Sequence, residues 1–391
     1  MSTKIKYLLR DGFLCLVMAS AFIIGVSFLV VNLSIFDPFT KAFKDFSFFD
    51  IYYSEKLNET TLSDKVILVN VEQGDRFQIQ ELLRHIQDQN PKVIGLDIIF
   101  KGEKDPFVDS LLQIQLEKDN VVRAKAYVEG KWNYDFGNTQ KKLDNTGYTN
   151  INFGSEETVI REFQAFHRIG DSLHASLAAT VVSKYLENNW PEEEIQKKLS
   201  RQQPINYTGN LDAFLNFSYD ECMSLESIPA MEGKIVLVGY LGYPHQSPTD
   251  IEDKFFTPLN PVSAGKGIPD MFGMVIHANI IQQILDENYF WEVPAWVDYL
   301  TALSLTYFGI VFFIWISVNV PAGYALYVKI SQLGVTVLFL WLTFALYNKK
   351  IIFEPEHSIA FFVIGMEFIE LYEVIAHKLN KKYQWKSYYH D

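Results

Sequence analysis

The chain has 391 residues, 49% of them apolar, with 31 Phe, 21 Tyr and a formal net charge of −13. That content supplies a large core plus several membrane spans, which argues against a disordered chain. No basic stripe interrupts the acidic middle of the sequence, so a nucleic-acid surface is excluded: phosphate binding needs a local excess of Lys and Arg.

Residues 1–10 carry Lys4, Lys6 and Arg10 and are expected in the cytoplasm. Residues 13–33 are almost purely apolar, the length of one spanning helix, and the first span is set at 11–34. A cleaved signal peptide would end sooner at a small-residue site, whereas this run continues through Val30, Val31 and Leu33. Cys15 lies inside the run and Cys222 far away in the polar stretch, so neither a disulfide nor a paired metal site is expected.

The polar stretch opens with a short apolar run at 66–71, and residues 76–89 have apolar side chains at helical spacing (Phe77, Ile79, Leu82, Leu83, Ile86). Residues 92–100 are apolar again, which makes a parallel βαβ unit. Asp105 is placed to cap a helix through Leu111, Leu112, Ile114 and Leu116, before a third strand at 121–127. Residues 145–153 and 158–166 read as extended segments about a Gly154-Ser155 turn, residues 171–186 as a helix, and 188–203 as a solvated helical insertion. Residues 234–238 form another strand ending at Gly239, and 273–285 a last helix. The fold class is therefore α/β, a mixed, mainly parallel sheet flanked by helices.

Further apolar runs at 297–318, 330–346 and 359–375 set three more spans at 296–319, 325–347 and 356–376, followed by a basic tail at 377–391 with Lys378, Lys381, Lys382 and Lys386. One N-terminal and three C-terminal spans place both termini in the cytoplasm of a bacterial inner membrane and residues 36–295 in the periplasm. Lys329 then lies at an inner junction, and Trp291, Trp296 and Tyr299 at the outer interface. With a tail of this length, no cytoplasmic catalytic domain is expected.

The motifs VILVNVEQGD (66–75), VIGLDIIF (93–100) with Asp105 and Asp109 after it, INYTG (205–209), GKIVLVG (233–239), DKFFTP (253–258) and GMVIHANIIQQIL (273–285) follow one another in order. In this series the chain resembles the second type of CHASE domain, an extracellular sensory module found beside bacterial cyclases and histidine kinases. Two departures stand out: residues 76–80 replace a Trp-Pro-rich stretch, and Glu72 stands where Asp is more usual. A kinase, cyclase or phosphatase is common after such domains, and the expectation here is that output resides in a separate protein.

No HExxH, P-loop, GxSxG, CxxC or dinucleotide fingerprint is present, and no enzyme activity, metal or cofactor is expected. Ser, His and Asp residues such as His167, Asp171 and His174 are scattered, and triads are recognised by geometry alone. Ligands of open α/β sheets bind outside the carboxyl ends of strands, where this chain carries Glu72, Asp75, Asp97, His245, Asp250 and Asp253. If they converge they make an acidic pocket for a cation or an amine-bearing ligand; otherwise Asp97 and Asp253 bond neighbouring backbone while Glu72 and Asp75 cap the next helix. His277, on an apolar helix face, reads first as a core group and second as a coupling residue. Glu367, Glu370 and Glu373 fall at three-residue spacing in the last span, where carboxylates need a partner on another helix, in this chain or in a second protein.

Three functions stay open. The first is a signal-input protein whose periplasmic domain binds a ligand or partner and relays through the membrane bundle to a separate membrane or periplasmic output protein, alone or as a homo-oligomer. The second is a structural or docking subunit of a cell-envelope complex. The third is a solute pathway on Glu367 and Glu370, which four spans per chain do not readily form.

Overall fold

The computed structural model describes residues 3–32, 50, 52–53, 62–135, 145–151, 158–187, 197, 199–243, 251–260 and 267–390. The chain divides into two compact units, Met1–Lys44 with Trp291–Asp391, and Asp45–Phe290. Helix α1 (Thr3–Asn32) opens the first unit.

The second unit is built on a seven-stranded sheet of β1 (Val66–Asn70), β2 (Val93–Leu96), β3 (Val121–Val128), β4 (Lys131–Asn133), β5 (Thr146–Tyr148), β6 (Leu215–Phe217) and β7 (Ile235–Gly239). The order is β6-β1-β7-β2-β3-β4, with β5 also on β3. Every pairing is parallel except β3 with β4. β1 and β7 are buried at every residue, as befits Val/Ile/Leu runs covered on both faces. Although last in sequence, β7 inserts between β1 and β2, so Asn70 lies opposite Gly239 and Val238 opposite Leu96. That insertion gathers the carboxyl ends of three strands.

Helices α2 (Arg76–Asp88), α3 (Pro106–Leu116), α4 (Leu177–Tyr185), α5 (Tyr219–Ser224) and α6 (Gly273–Leu285) complete the unit. Asp75 starts α2 with a capping box, accepting from Phe77 N and Gln78 N while the Gln78 side chain accepts from Asp75 N. Asp105 caps α3 ahead of Pro106. Ile79, Leu82, Leu83 and Ile86 of α2 and Leu112 and Leu116 of α3 pack onto Ile67, Val69, Ile94, Leu96, Val236 and Val238. Each such side chain contributes roughly 1.5–3 kcal/mol on burial, so Leu83→Ala alone costs about 2–5 kcal/mol. A buried ion pair, Arg76 Nη1 to Asp109 Oδ1 at 2.6 Å, ties α2 to α3, and Lys104 N donates to the other Asp109 oxygen. Asp105 and Asp109, both noted in the sequence, are thereby a cap and a counter-ion.

α6 is buried from Gly273 through Ile284, polar residues included. Two of its amides are satisfied by chain 204–209: Asn279 accepts from Thr208 N at 2.7 Å and donates to Gly209 O, and Gln283 accepts from Asn206 N and donates to Pro204 O. The INYTG segment is thus docked on this helix by side-chain-to-backbone bonds.

Several expectations differ from the structure. Residues 172–175 are not helical: Ser172–Ala175 pairs antiparallel with Phe166–Ile169 across a turn where Gly170 takes φ +59°, and the helix starts only after Ser176, whose hydroxyl caps it. Residues 145–153 and 158–166 do not pair with each other in the described part; β5 joins β3, and Glu162–Phe163 joins Gln203–Pro204. Gly154, Ser155 and most of 188–203 lie outside the described residues. Glu72 does not cap α2; it occupies a left-handed turn at φ 52°.

In the first unit, α7 (Ala295–Asn319), α8 (Tyr324–Tyr347) and α9 (Glu356–Tyr383) join α1. α1, α7 and α8 are long and apolar enough to cross a membrane. α9 runs parallel to α7. At their starts Asp298 accepts from Ser358 Oγ at 2.6 Å and contacts His357 Nδ1 at 2.8 Å. Further along, a Cβ on Gly365 would lie 2.4 Å from Thr306 and one on Gly309 2.8 Å from Phe362, so both glycines permit close approach. α1 runs the opposite way, with Asp11 accepting from Tyr388 N in the terminal segment and Phe22 against Phe368.

Candidate functional site

The carboxyl ends of β1, β7 and β2 meet the start of α6. Asn70, buried at the end of β1, organises them: its Oδ1 accepts from Glu72 N and Leu241 N, and its Nδ2 donates to Gly242 O at 2.6 Å. Gly239 ends β7 where a side chain has no room, a Cβ there lying 2.9 Å from Met274 Sδ and 3.2 Å from Asp97 Cβ. Asp97 follows β2, half-buried, its N–H bonded to Val238 O. Asp253, in a left-handed conformation at φ 54°, accepts from Gly273 N through its carbonyl. Its two carboxylate oxygens lie 3.4 and 3.5 Å from where a Gly273 Cβ would be.

The structure therefore brings Asp97 and Asp253 together at one helix start. Burial pushes Asp97 up to about 6. Burial, then the charge of Asp97, then that of Glu252 push Asp253 up to about 7. Although much of Asp253 is exposed as a residue, its carboxyl group faces the first turn of α6, where the helix dipole favours the anion and opposes the shift. Two carboxyls of this kind hold a proton near neutrality or accept a cation or an ammonium group. Tyr240, Tyr243 and Phe272 form an edge-to-face aromatic group beside them, with Lys254 Nζ 4.8 Å from the Phe272 centroid.

The remaining candidates are dispersed or undescribed. Asp75 is exposed and spent on its cap, and Glu72 is half-buried in the adjoining turn. His245 and Asp250 lie outside the described residues. His277 is buried on α6, and burial lowers it to about 4, partly countered by a backbone hydrogen bond to Thr149, so it is a neutral imidazole. Glu367 accepts from Lys329 Nζ and, at 2.8 Å, from Gln332 Nε2, both on α8. Glu370 is exposed and Glu373 half-buried. Ser358 and His357 both bond Asp298 and not one another, so this trio is a staple between helices and not a nucleophile relay. Among the described residues no group of three His, Cys, Asp or Glu is placed to hold a metal ion.

Asn70 escaped the sequence reading because a lone Asn after an apolar strand is an ordinary turn signal. Its position in the run VILVN, directly before the loop that bears Glu72, was the available clue.

The chain thus combines a mainly parallel α/β domain, carrying acidic groups at its strand ends, with apolar helices on either side of it in sequence that are long enough to cross a membrane. A family model described as the CHASE2 domain matches residues 16–311, and the chain belongs to this family of sensory domains. No curated protein and no solved structure matches it.

Proposed function

We propose that the chain is the input half of a signalling pair: its CHASE2 domain lies in the periplasm, binds a ligand at the strand ends around Asp97 and Asp253, and relays through an inner-membrane bundle to a separate output protein. Membership in a sensory family carries the reading. In this reading α9 crosses the bilayer as a fourth span, supported by its parallel course beside α7 and by the pairing of Glu367 with Lys329 and Gln332, which lowers the cost of a carboxylate at membrane depth. Both termini then face the cytoplasm, and the chain carries out no catalysis of its own. A ligand shifts such a bundle only by preferring one of two arrangements, so binding must differ between them.

Co-purification from native membranes tests the reading: a signalling enzyme recovered with the full chain is expected, whereas a chain recovered alone and monomeric overturns it. A reporter fused at Lys141 is expected outside the cytoplasm, and its protection by intact cytosol would remove the topology.

A further inference from the structure

Strand β3 reads VVRAKAYV, buried over its first five residues, and so sets two cations in an apolar strand. Arg123, 2% exposed, has the charge of Asp135 beside it. Lys125, 6% exposed, has no such neighbour: its ammonium group meets His174 Nδ1 at 3.5 Å and lies 4.9 Å from the Trp132 ring centroid, and no carboxylate pairs with it among the described residues. Burial alone lowers Lys125, while burial, then Lys125, then His167 lower His174. A buried ammonium group without an anion is a cost that a structural role does not explain.

The surroundings are arranged to receive an anion. Because Lys125 donates to His174 Nδ1, the His174 proton sits on Nε2, which is left as a donor on a half-exposed ring. His167 is directly across the hairpin from His174 and is oriented by Gln164, whose own amide donates to Ser200 O at 2.6 Å. Trp132 stacks obliquely on His174, ring centroids 4.5 Å apart, and Tyr127 lies 5.1 Å from Trp132, which makes an apolar wall next to the donors. Tyr148, the register partner of Lys125 on β5, closes the floor and donates to Gln164 O.

We infer that Lys125, His174 and Trp132 form a binding site for a small organic carboxylate, its anion between the ammonium group and the imidazole Nε2–H and its apolar body against the indole. This site is distinct from the acidic strand ends, and it stands or falls on binding, independently of whether a relay exists.

The test uses the full chain in nanodiscs, with benzoate as probe, benzamide as its uncharged counterpart and inorganic phosphate as an anion without an apolar body. Benzoate is expected to bind saturably and to change tryptophan emission, a change that W132F abolishes, while benzamide does not bind. Phosphate binding weaker than benzoate fits the apolar wall; phosphate binding alone overturns the carboxylate assignment. K125M is expected to weaken benzoate by roughly tenfold to a hundredfold, as for loss of a charged hydrogen bond, with no fall in thermal midpoint. H174Q, at a half-exposed position, is expected to weaken binding to a smaller extent in a folded chain. Failure of benzoate to bind wild type, or full-strength binding to K125M, overturns the site.

Discussion

Arg161 and Lys125 are both buried cations of the same domain, and the fold treats them in opposite ways. Arg161 is answered by Asp50 in a bidentate pair at 2.9 and 2.7 Å, both residues under 10% exposed, so it is a finished structural element. Lys125 meets the His174 imidazole and an indole face. A completed pair holds the fold together, whereas a buried cation that meets no carboxylate among the described residues is, in the site inferred above, where a ligand's anion would dock. Asp97 and Asp253 form the anionic counterpart of the second case.

The largest effect should come from breaking the completed pair. Arg161→Met strands Asp50 and is expected to cost about 3–5 kcal/mol, read by denaturant unfolding of the full chain. A loss under about 1 kcal/mol would erase the distinction. The same substitution at Lys125 should do the reverse, raising the thermal midpoint by roughly 2 °C because a buried charge is removed.

Asp253 sharpens the comparison through pH. A carboxyl raised to about 7 in the fold binds its proton more tightly than the unfolded chain does, so its contribution is favourable in acid and is lost as pH rises from the ordinary carboxylate range through about 7. Asp253→Asn should therefore raise the midpoint at pH 8, by roughly 2 °C, and leave it unchanged at pH 4. Equal effects at both values would show that the carboxyl is not strained. The smallest change is expected from Glu367→Gln: the amide can still accept from Gln332, and a loss below about 1 kcal/mol in the folded bundle is anticipated.

The legible part of this molecule is the part whose signals are local. Asp75 and Asp105 announce helices within a turn of themselves, and α6 is bounded as its apolar run predicts. β6 leaves no sequence signal because its three mostly exposed residues on a sheet edge carry no periodicity, and Ser172–Ala175 reads as helix because alanines downstream lend it their spacing. The acidic site was only half legible. Each carboxylate could be placed after a strand, but Asp97 and Asp253 meet because β7 slots between β1 and β2, a long-range event without a local trace. Lys125 does leave a trace, since two cations in an otherwise apolar strand break the pattern, but the valines and alanines around it dominate the strand signal.

The bonds of Asp298 to His357 and Ser358, together with the glycine contacts below them, govern which movements the helices can make. Sliding α9 against α7 by a single turn, about 5.4 Å, would rupture the carboxylate's bonds at one end and replace Gly365 opposite Thr306 by a bulky side chain, Phe362 or Ile369. Under the proposed relay the two helices travel as one rod, and a stroke, tilt or twist is taken up where that rod meets α1 or α8.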